Sequence, residues 1–258
     1  MRLYLQYLSI HLRSVMQHKV SLFLTAAGQA LMSFTSLFSI YFVMNRFYEI
    51  GGFTFQEISL CFSVVLMAFS VAECFARGFD TFASIIGNGE FDRMMVRPRG
   101  AVFQVIASKF EFTRVGRFLQ AAGVMIYAVT TADVAWTGRK ILTLVFMTVS
   151  GVIIFSCLFV IYAALCFFTT EGLEFMNVFT DGGREHGKYP FSIYGKHVLR
   201  FFTYVVPLAL VQYYPFLYIT GRTDNILYMF LPLAGALFAI PSFLLWKIGL
   251  RHYKSTGS

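Results

Sequence analysis

Apolar stretches long enough to cross a lipid bilayer recur throughout this 258-residue chain. A helix needs about 20 consecutive apolar residues to span the hydrocarbon core. Only 13% of the residues are charged, about half the share in a soluble domain, which is too little polar material to cover a water-facing globule. We therefore predict an all-α integral membrane protein with six transmembrane helices at about 20–45, 58–77, 103–131, 141–168, 201–220 and 226–248.

Three of these spans are expected to be irregular. The first half of the third contains Lys109, Glu111, Arg114 and Arg117, so either this helix begins in the cytosol or its membrane part is only about 112–131. Prolines interrupt the fifth span at 207 and 215, and the last span contains Pro232 and Pro241. A proline within a span releases backbone hydrogen-bonding groups, which then need partners on neighbouring helices or in water.

The distribution of basic residues predicts the orientation. With the N-terminus in the cytosol, most of the 21 Lys and Arg residues fall in inner segments. The outer loops hold only Arg46, Arg139, Lys140 and Arg222. Basic residues are enriched in cytoplasmic loops, so both termini are predicted to be cytosolic. The net charge of +8 then reflects membrane topology, and we expect the lipid bilayer rather than nucleic acid as the partner.

Residues 1–19 mix apolar and basic side chains at helical spacing, as in Leu5, Leu8 and Leu12 beside Arg13. This pattern is typical of an amphipathic helix lying at the inner membrane surface. A cytosolic tail is the alternative.

The sequence lacks several catalytic and energy-coupling motifs. It has no GxxxxGK[ST] nucleotide-binding loop, no HExxH or GxSxG motif, and no Cys or His spacing typical of a metal site. Glu171, Glu174 and His186 leave a membrane-embedded hydrolase as a remote alternative to a solvated cytosolic connection. Glu73 is the main ionisable residue within a predicted span, and it is costly unless it is paired or hydrated. This scarcity disfavours a stand-alone secondary carrier or channel, which remains the second hypothesis.

Residues 78–100 form a predicted cytosolic segment between the second and third spans. Phe82, Ile85 and Ile86 have helical spacing, Gly87-Asn88-Gly89 ends that helix, and Pro98 blocks helix continuation after a charged turn. Such a segment suits docking to another protein, with apolar anchors for affinity and charges for register. An ordinary interfacial loop that holds topology is the alternative.

Three motifs carry a family resemblance. GEFDRMMVRPRG at 89–100 resembles the GxxDxLLxRP motif of ABC-2-type permease subunits. GGFTFQEI at 51–58 resembles the Gly-Gly-Trp-Thr-xx-Glu outer loop of their six-span subfamily, with Phe53 where Trp is usual. Tyr189-Pro190 followed by FFTYVVPLALVQYYPFLYITG at 201–221 is similar to the subfamily's proline-interrupted span, with Gln212 where Asn is usual. The resemblance covers nearly the whole chain.

The resemblance implies a single transmembrane domain over 1–258 that works as the permease of an ATP-driven exporter in the inner (cytoplasmic) membrane of a bacterium. Two permeases, identical or related, would enclose the pathway, and separate ATPase subunits would bind the ATP and Mg that this chain does not bind. The implied ATPase-coupling residues are Phe82, Ile85, Asp92, Arg93 and Arg97. The implied substrate pathway or gate comprises Pro207, Gln212, Tyr213, Tyr214 and Pro215, for which a kinked packing helix is the alternative. The Phe-rich spans suit efflux of an amphipathic drug, peptide or lipid-like molecule, as in multidrug export, and they also suit plain helix packing.

Overall fold

The computed structural model describes residues 2–47, 49–169 and 173–255. These residues form thirteen α-helices joined by short loops and four 3₁₀ turns. The helices are α1 Arg2–Met16, α2 Lys19–Phe47, α3 Phe55–Asp80, α4 Phe82–Gly87, α5 Glu90–Met95, α6 Ala101–Ser108, α7 Val115–Thr131, α8 Gly138–Leu165, α9 Asn177–Gly187, α10 Lys196–Tyr204, α11 Leu208–Ile219, α12 Leu231–Ala236 and α13 Ala239–His252.

Helix α3 lies at the centre of the bundle. It begins at a capping box in which Thr54 accepts from the backbone N–H of Glu57 and the Glu57 carboxylate accepts from that of Thr54. Most of its side chains are buried, mainly against α7 and α8. A Cβ added at Gly151 of α8 would lie 2.8 Å from the Cβ of Ala68, so the glycine permits close approach of the two helices.

Four helical segments are long and apolar enough to cross a membrane: Lys19–Phe47, Phe55–Gly87, Gly138–Leu165 and Leu231–His252. A fifth is the pair Lys196–Tyr204 and Leu208–Ile219, bent by 112° where Pro207 precedes the second helix. The bend falls within the span whose prolines indicated an irregularity. These helices fit a multi-pass membrane protein.

The stretch 103–131, predicted either as a helix that begins in the cytosol or as a membrane part of only about 112–131, contains most of α6, a 3₁₀ turn and α7. Helix α6 ends at Ser108, and Lys109 then takes an extended backbone conformation, with φ −148° and ψ 129°. The backbone N–H of Glu111 donates to the carbonyl of Cys74 at 3.1 Å, so residues of the break are tied to α3. Helix α7 starts at Val115 and has 17 residues, close to the shortest length that spans a bilayer.

Helix α9 enters the bundle, although its segment was predicted as a cytosolic connection. A Cβ added at Gly187 would lie 3.2 Å from both Cγ atoms of Val65, near the middle of α3. The next residue, Lys188, donates from Nζ to Oγ of Ser36 at 3.0 Å, near the middle of α2. The C-terminal end of α9 therefore lies beside the central turns of two long helices.

The N-terminal region forms the helix that its amphipathic pattern predicts. One side of α1 packs on the break between α6 and α7: the ring of Tyr4 lies 5.5 Å from that of Phe110, and His11 lies 5.3 Å from the same ring. Leu5 and Ile10 are exposed. The helix thus has one packed side and one open apolar side.

Candidate functional site

Glu73 is the centre of a buried ion-pair cluster between α3 and the start of α7. Its side chain is 5% exposed overall. Arg117 forms a close ion pair with one carboxylate oxygen, and Arg114 lies 3.3 Å from the other. Arg77, one turn further along α3, is 3.8 Å away. The break before α7 brings these arginines to Glu73, which satisfies the pairing that a buried carboxylate in a span requires.

Helix α9 carries a second group of ion pairs beside this cluster. Arg184 pairs with Asp181 at 3.2 Å and with Glu185 at 3.0 Å. Its guanidinium carbon lies 4.8 Å from the centroid of the Phe69 ring on α3, a cation–π contact. Lys188 forms a close ion pair with Glu185 as well as its hydrogen bond to Ser36.

A cavity of about 270 Å³ lies between α2, α3, α7 and α9, and the cluster forms part of its wall. Its charged lining comprises Arg117, Arg184 and Lys188 against the single carboxylate of Glu185. The other lining residues are Gln29, Met32, Ser33, Ser36, Phe62 and Leu66. The cavity therefore combines an excess of positive charge with hydrogen-bonding groups and an apolar wall.

Sequence reasoning missed this cavity because Arg184 and Lys188 were assigned to a cytosolic loop. Their charges lower the hydropathy of the segment, so a search for apolar spans passes over it. The available signal was the row of small residues Thr180, Gly183 and Gly187 at spacings of three and four, all of them buried. Such a row allows close helix packing.

The predicted coupling segment is anchored in the bundle by Phe82 and Ile85. Phe82 is 0% exposed, and its ring lies 5.1 Å from Phe91 and 5.2 Å from Trp246 of α13. Ile85 is 6% exposed. The expectation that these two side chains are apolar anchors for a partner does not fit their burial; they join the segment to its own transmembrane helices.

The opposite side of the segment is open to solvent. Arg93 and Arg97 are exposed, and so are Met95 and Val96, the latter 84% exposed. The side-chain amide of Gln104 donates to two backbone carbonyls of the corner, those of Met94 at 2.8 Å and Arg99 at 2.9 Å. The surface thus offers two cations and two apolar side chains on a fixed backbone.

Asp92 ties the segment to the C-terminal end of the chain. It accepts hydrogen bonds of 2.9 Å from the hydroxyls of Tyr253 and Ser255. Burial, together with the hydrogen bond and charge of Asp92, raises the pKa of Tyr253 to about 12. The phenol therefore stays protonated at neutral pH and keeps donating to the carboxylate.

The residues predicted for the substrate pathway lie at and after the bend between α10 and α11. Pro207 is at the corner and Pro215 is within α11. Gln212 is 1% exposed and donates to the carbonyl of Tyr189 at 3.1 Å. It borders a void of only about 10 Å³. In this conformation Gln212 ties α11 to the loop that follows α9.

Tyr213 and Tyr214 are half-buried in the same element. Their rings lie 5.3 Å apart, and the hydroxyl of Tyr214 is 3.3 Å from that of Thr203 on α10. Tyr214 therefore links the two arms of the bent pair.

The motif GGFTFQEI at 51–58 connects the start of α3 to the residues after α11. Gly51 and Gly52 adopt φ of 62° and 78°, a region that favours glycine. Phe53 is 3% exposed and lies between Phe216, with ring centroids 5.3 Å apart, and Arg222, whose guanidinium carbon is 3.8 Å from its centroid. Arg222 also bonds the carbonyl of Gly52 and pairs with Glu57 at 3.1 Å.

The residues behind the hydrolase alternative are not assembled into a site among the described residues. Glu171 lies outside the described residues, and Glu174 is exposed in the turn Leu173–Met176. His186 donates from Nδ1 to the carbonyl of Gly182 at 2.7 Å, within its own helix. Within 2–47, 49–169 and 173–255, no group of three or more His, Cys, Asp or Glu residues could hold a metal ion.

The long apolar helices around a buried ion-pair cluster define a multi-pass membrane protein. The sequence model of the family described as "ABC-2 family transporter protein" matches residues 30–257. The chain belongs to this family, and it is a permease component of the ABC-2 type. Searches of curated proteins and of solved structures find no match.

Proposed function

We propose that the chain is the transmembrane permease subunit of an ATP-driven exporter, in which it pairs with a second permease and is powered by separate ATPase subunits. The observation that carries this proposal is the two-sided coupling segment. Phe82 and Phe91 fix its inner side in the bundle, while Arg93, Val96 and Arg97 form an exposed outer surface. An ATPase docked there could move the segment and the helices attached to it together.

The inner side of the segment provides a mechanical route into the membrane domain. Phe82 contacts Phe167, just beyond α8, at 5.1 Å and Trp246 of α13 at 5.2 Å. Phe79, the last residue but one of α3, also lies 5.2 Å from Trp246. Packed aromatic contacts transmit displacement because protein interiors are close-packed. In the proposal, nucleotide-driven closure of the ATPases shifts α3, α8 and α13 through this cluster.

The proposed topology has six crossings, with both termini in the cytosol and α1 at the inner surface of the inner (cytoplasmic) membrane. Helix α7 would be the third crossing and the bent pair α10–α11 the fifth. Under this topology the segment 82–99 and the end of α13 lie on the ATPase side. ATP and Mg are bound by the partner ATPases and not by this chain.

The second permease is proposed to cover part of α2. Only Ser33, Ile40 and Met44 of this helix are buried. Leu31 and Phe42, which lie away from the cavity lining, are 68% and 66% exposed. Lipid or another permease must cover such a helix in the membrane, and pairing across a central pathway would use part of this surface. The partner can be identical or a related chain.

A stand-alone carrier or channel is the competing function, and one observation favours it. Glu185 and Lys188 lie deeper in the bundle than their sequence context indicates, and ionisable groups at depth are typical of ion-coupled carriers. Dependence on a co-encoded ATPase separates the two functions. Transport that persists when the Walker-motif lysine of that ATPase is replaced would favour the carrier.

The deciding experiment is a pull-down of the tagged chain from its native host in mild detergent, with retained proteins identified by mass spectrometry. We expect an ATPase at about one copy per permease. Arg93→Glu with Arg97→Glu should reduce its recovery, because charges at a docking surface set register and rate of association. Lys196→Glu with Arg200→Glu is the matched control on α10, since both residues are exposed.

Two results would contradict the proposal. The first is a chain that is recovered alone even after crosslinking in intact membranes. The second is recovery of the ATPase in equal amounts with both double variants. This result would mean that residues 93–97 are not the surface to which the ATPase docks.

A further inference from the structure

The cavity between α2, α3, α7 and α9 has an unbalanced charge. Three of its lining residues are cationic, namely Arg117, Arg184 and Lys188, and Glu185 is the one carboxylate on its wall. Glu73, the counter-ion of Arg117, lies outside the lining and is shared with Arg77 and Arg114. The ion pairs around the cavity form two groups, which together contain five cations and four carboxylates. The first is Arg77, Arg114 and Arg117 with Glu73 and Asp80, and the second is Arg184 and Lys188 with Asp181 and Glu185.

We propose that this cavity binds the anionic head group, a carboxylate or phosphate, of an amphipathic molecule, and that the exported cargo is therefore an amphipathic anion. The identification of the bound anion as exported cargo rests on the proposed transport function. The binding itself can be tested on the chain alone.

The polar groups of the wall favour an anion over a cation. A bound cation would face three like charges in a setting of low dielectric, where repulsion is strong. Gln29 accepts from Arg117 through its Oε1, which leaves its NH₂ group as a donor. The Nε of Arg184 is buried and has no hydrogen-bond partner in the protein. An oxyanion can accept from such donors, and bonds to ionised groups are the stronger ones.

The remaining wall favours a ligand with an apolar part. Phe62 and Leu66 of α3 line the cavity together with Met32 of α2. Met32 is 72% exposed, so the cavity opens beside α2 at the lateral surface of the bundle. A volume of about 270 Å³ is smaller than a pocket that encloses a whole drug-sized molecule. It suits a head group that enters sideways while the apolar tail stays outside among lipids or along α2.

The test is native mass spectrometry of the full chain purified in dodecyl maltoside, a neutral detergent. Dodecyl phosphate and dodecyltrimethylammonium are titrated separately, because they share a tail and differ in the charge of the head. We expect dodecyl phosphate to bind at least about tenfold more tightly than dodecyltrimethylammonium, because one hydrogen bond to a charged group gives about this ratio of dissociation constants. Inorganic phosphate, which lacks the tail, should bind more weakly than dodecyl phosphate.

Two variants connect the binding to the cavity. Arg184→Gln with Lys188→Gln removes two lining cations four residues apart, and the matched control Lys196→Gln with Arg200→Gln removes two exposed cations at the same spacing. Because Arg184 also pairs with Asp181, the double variant could unfold. Gln29→Glu is therefore the second probe: it nearly keeps the side-chain shape and the contact with Arg117 but adds a negative charge to the wall. Both lining variants should lose the preference for dodecyl phosphate, and the control should keep it.

Equal binding of the two amphiphiles, or a preference unchanged in Gln29→Glu, would overturn the inference. The source of the head group follows from a second arm, in which the chain is extracted from membranes of phosphatidylglycerol and phosphatidylcholine. Retained phosphatidylglycerol supports a membrane lipid as the anion. Dodecyl phosphate binding without retained lipid supports an anion taken from the cytosol.

Failure of the inference and failure of the proposed function give different results. A chain that recovers an ATPase but shows no preference for the anion keeps the permease role and loses this ligand. A chain that prefers the anion but recovers no ATPase keeps the binding site and loses the exporter.

Discussion

The hydroxyl of Tyr253, just beyond the last helix, donates a 2.9 Å hydrogen bond to a carboxylate oxygen of Asp92, 161 residues earlier in the chain. The same ring packs edge-on against Phe91 at 5.0 Å. One side chain therefore holds the coupling segment to the end of α13 by a polar and an apolar contact. These two contacts can be separated by substitution.

Tyr253→Phe should loosen the coupling segment while leaving the bundle folded. The ring contact with Phe91 stays, and the lost hydrogen bond to a charged group is worth about 1.5–3 kcal/mol at most. We expect faster limited proteolysis between 93 and 99 with unchanged gel-filtration behaviour. Tyr204→Phe is the matched control, since Tyr204 is 82% exposed. Equal proteolysis of both variants would show that the hydrogen bond does not hold the segment.

The same hydrogen bond predicts a pH dependence. The pKa of Tyr253 is raised from 10.0 to about 12 in the folded chain, so its contribution to stability is complete below pH 10 and is lost as the pH rises toward 12. The difference in proteolysis between the native chain and Tyr253→Phe should therefore be constant from pH 6 to 9. A difference that varies within this range would contradict the assignment.

Breaking the buried pair of Glu73 and Arg117 should be strongly destabilising. Removing the sole partner of a buried charge costs about 3–5 kcal/mol, and we expect a loss below that limit because Arg114 and Arg77 remain 3.3 Å and 3.8 Å from Glu73. Arg117→Gln should lower the thermal midpoint followed by fluorescence-detected gel filtration. Arg77→Gln is the comparison variant because Arg77 lies further from Glu73, at 3.8 Å, and is more exposed. A smaller effect for Arg117→Gln than for Arg77→Gln would mean that the pair is not the centre of the cluster.

Gly78→Ala should separate α6 from α3. A Cβ at this position would collide with the backbone carbonyl oxygen of Val105, which cannot move without its helix. Overpacking of this kind costs about 1–3 kcal/mol or more. Gly87→Ala is the matched control, because nothing lies within 4 Å of an added Cβ there. Expression and thermal stability should fall for the first variant only, and equal values for both would contradict the close approach.

Arg222→Gln should weaken the contact between the motif at 51–58 and the residues after α11. The change removes the cation above the Phe53 ring and the ion pair with Glu57, and we expect a loss of roughly 1 kcal/mol because the site is partly exposed. The thermal midpoint should fall by less than in Arg117→Gln. Arg139→Gln, which replaces another exposed cation, should have no effect. An equal effect of Arg139→Gln would assign the change to net charge.

Several elements could be predicted from the sequence because they depend on long-range composition or on proline chemistry. Helices α2, α3 and α8 follow from apolar length, and Pro207 lies at the bend in the fifth apolar stretch. The burial of Phe82 could not be predicted, since helical spacing of apolar residues is the same whether the face meets the bundle or a partner. The family match to residues 30–257 likewise agrees with the resemblance found in three motifs.

The cavity could not be predicted, for a different reason. Arg184 and Lys188 make the hydropathy of α9 low, and hydropathy assigns such segments to water. Their position depends on contacts made by glycine backbones with Val65 and Leu208, which become visible only after the bundle is assembled. Glu73 was predicted to need a partner. Its partners Arg114 and Arg117 reach it because the helix is broken before α7, and the length of the apolar stretch does not reveal that break.

Helix α7, the third crossing of the proposed topology, would affect the thickness of the surrounding bilayer. Its 17 residues extend over only about 26 Å at 1.5 Å per residue, whereas α2, with which it packs, has 29 residues and extends over about 44 Å. Where the hydrocarbon core is about 30 Å thick, either the core becomes thinner beside the shorter helix or the longer helix tilts. We expect the membrane to be compressed along this side of the chain, so that a tail lying beside α7 has a shorter distance to travel between the leaflets.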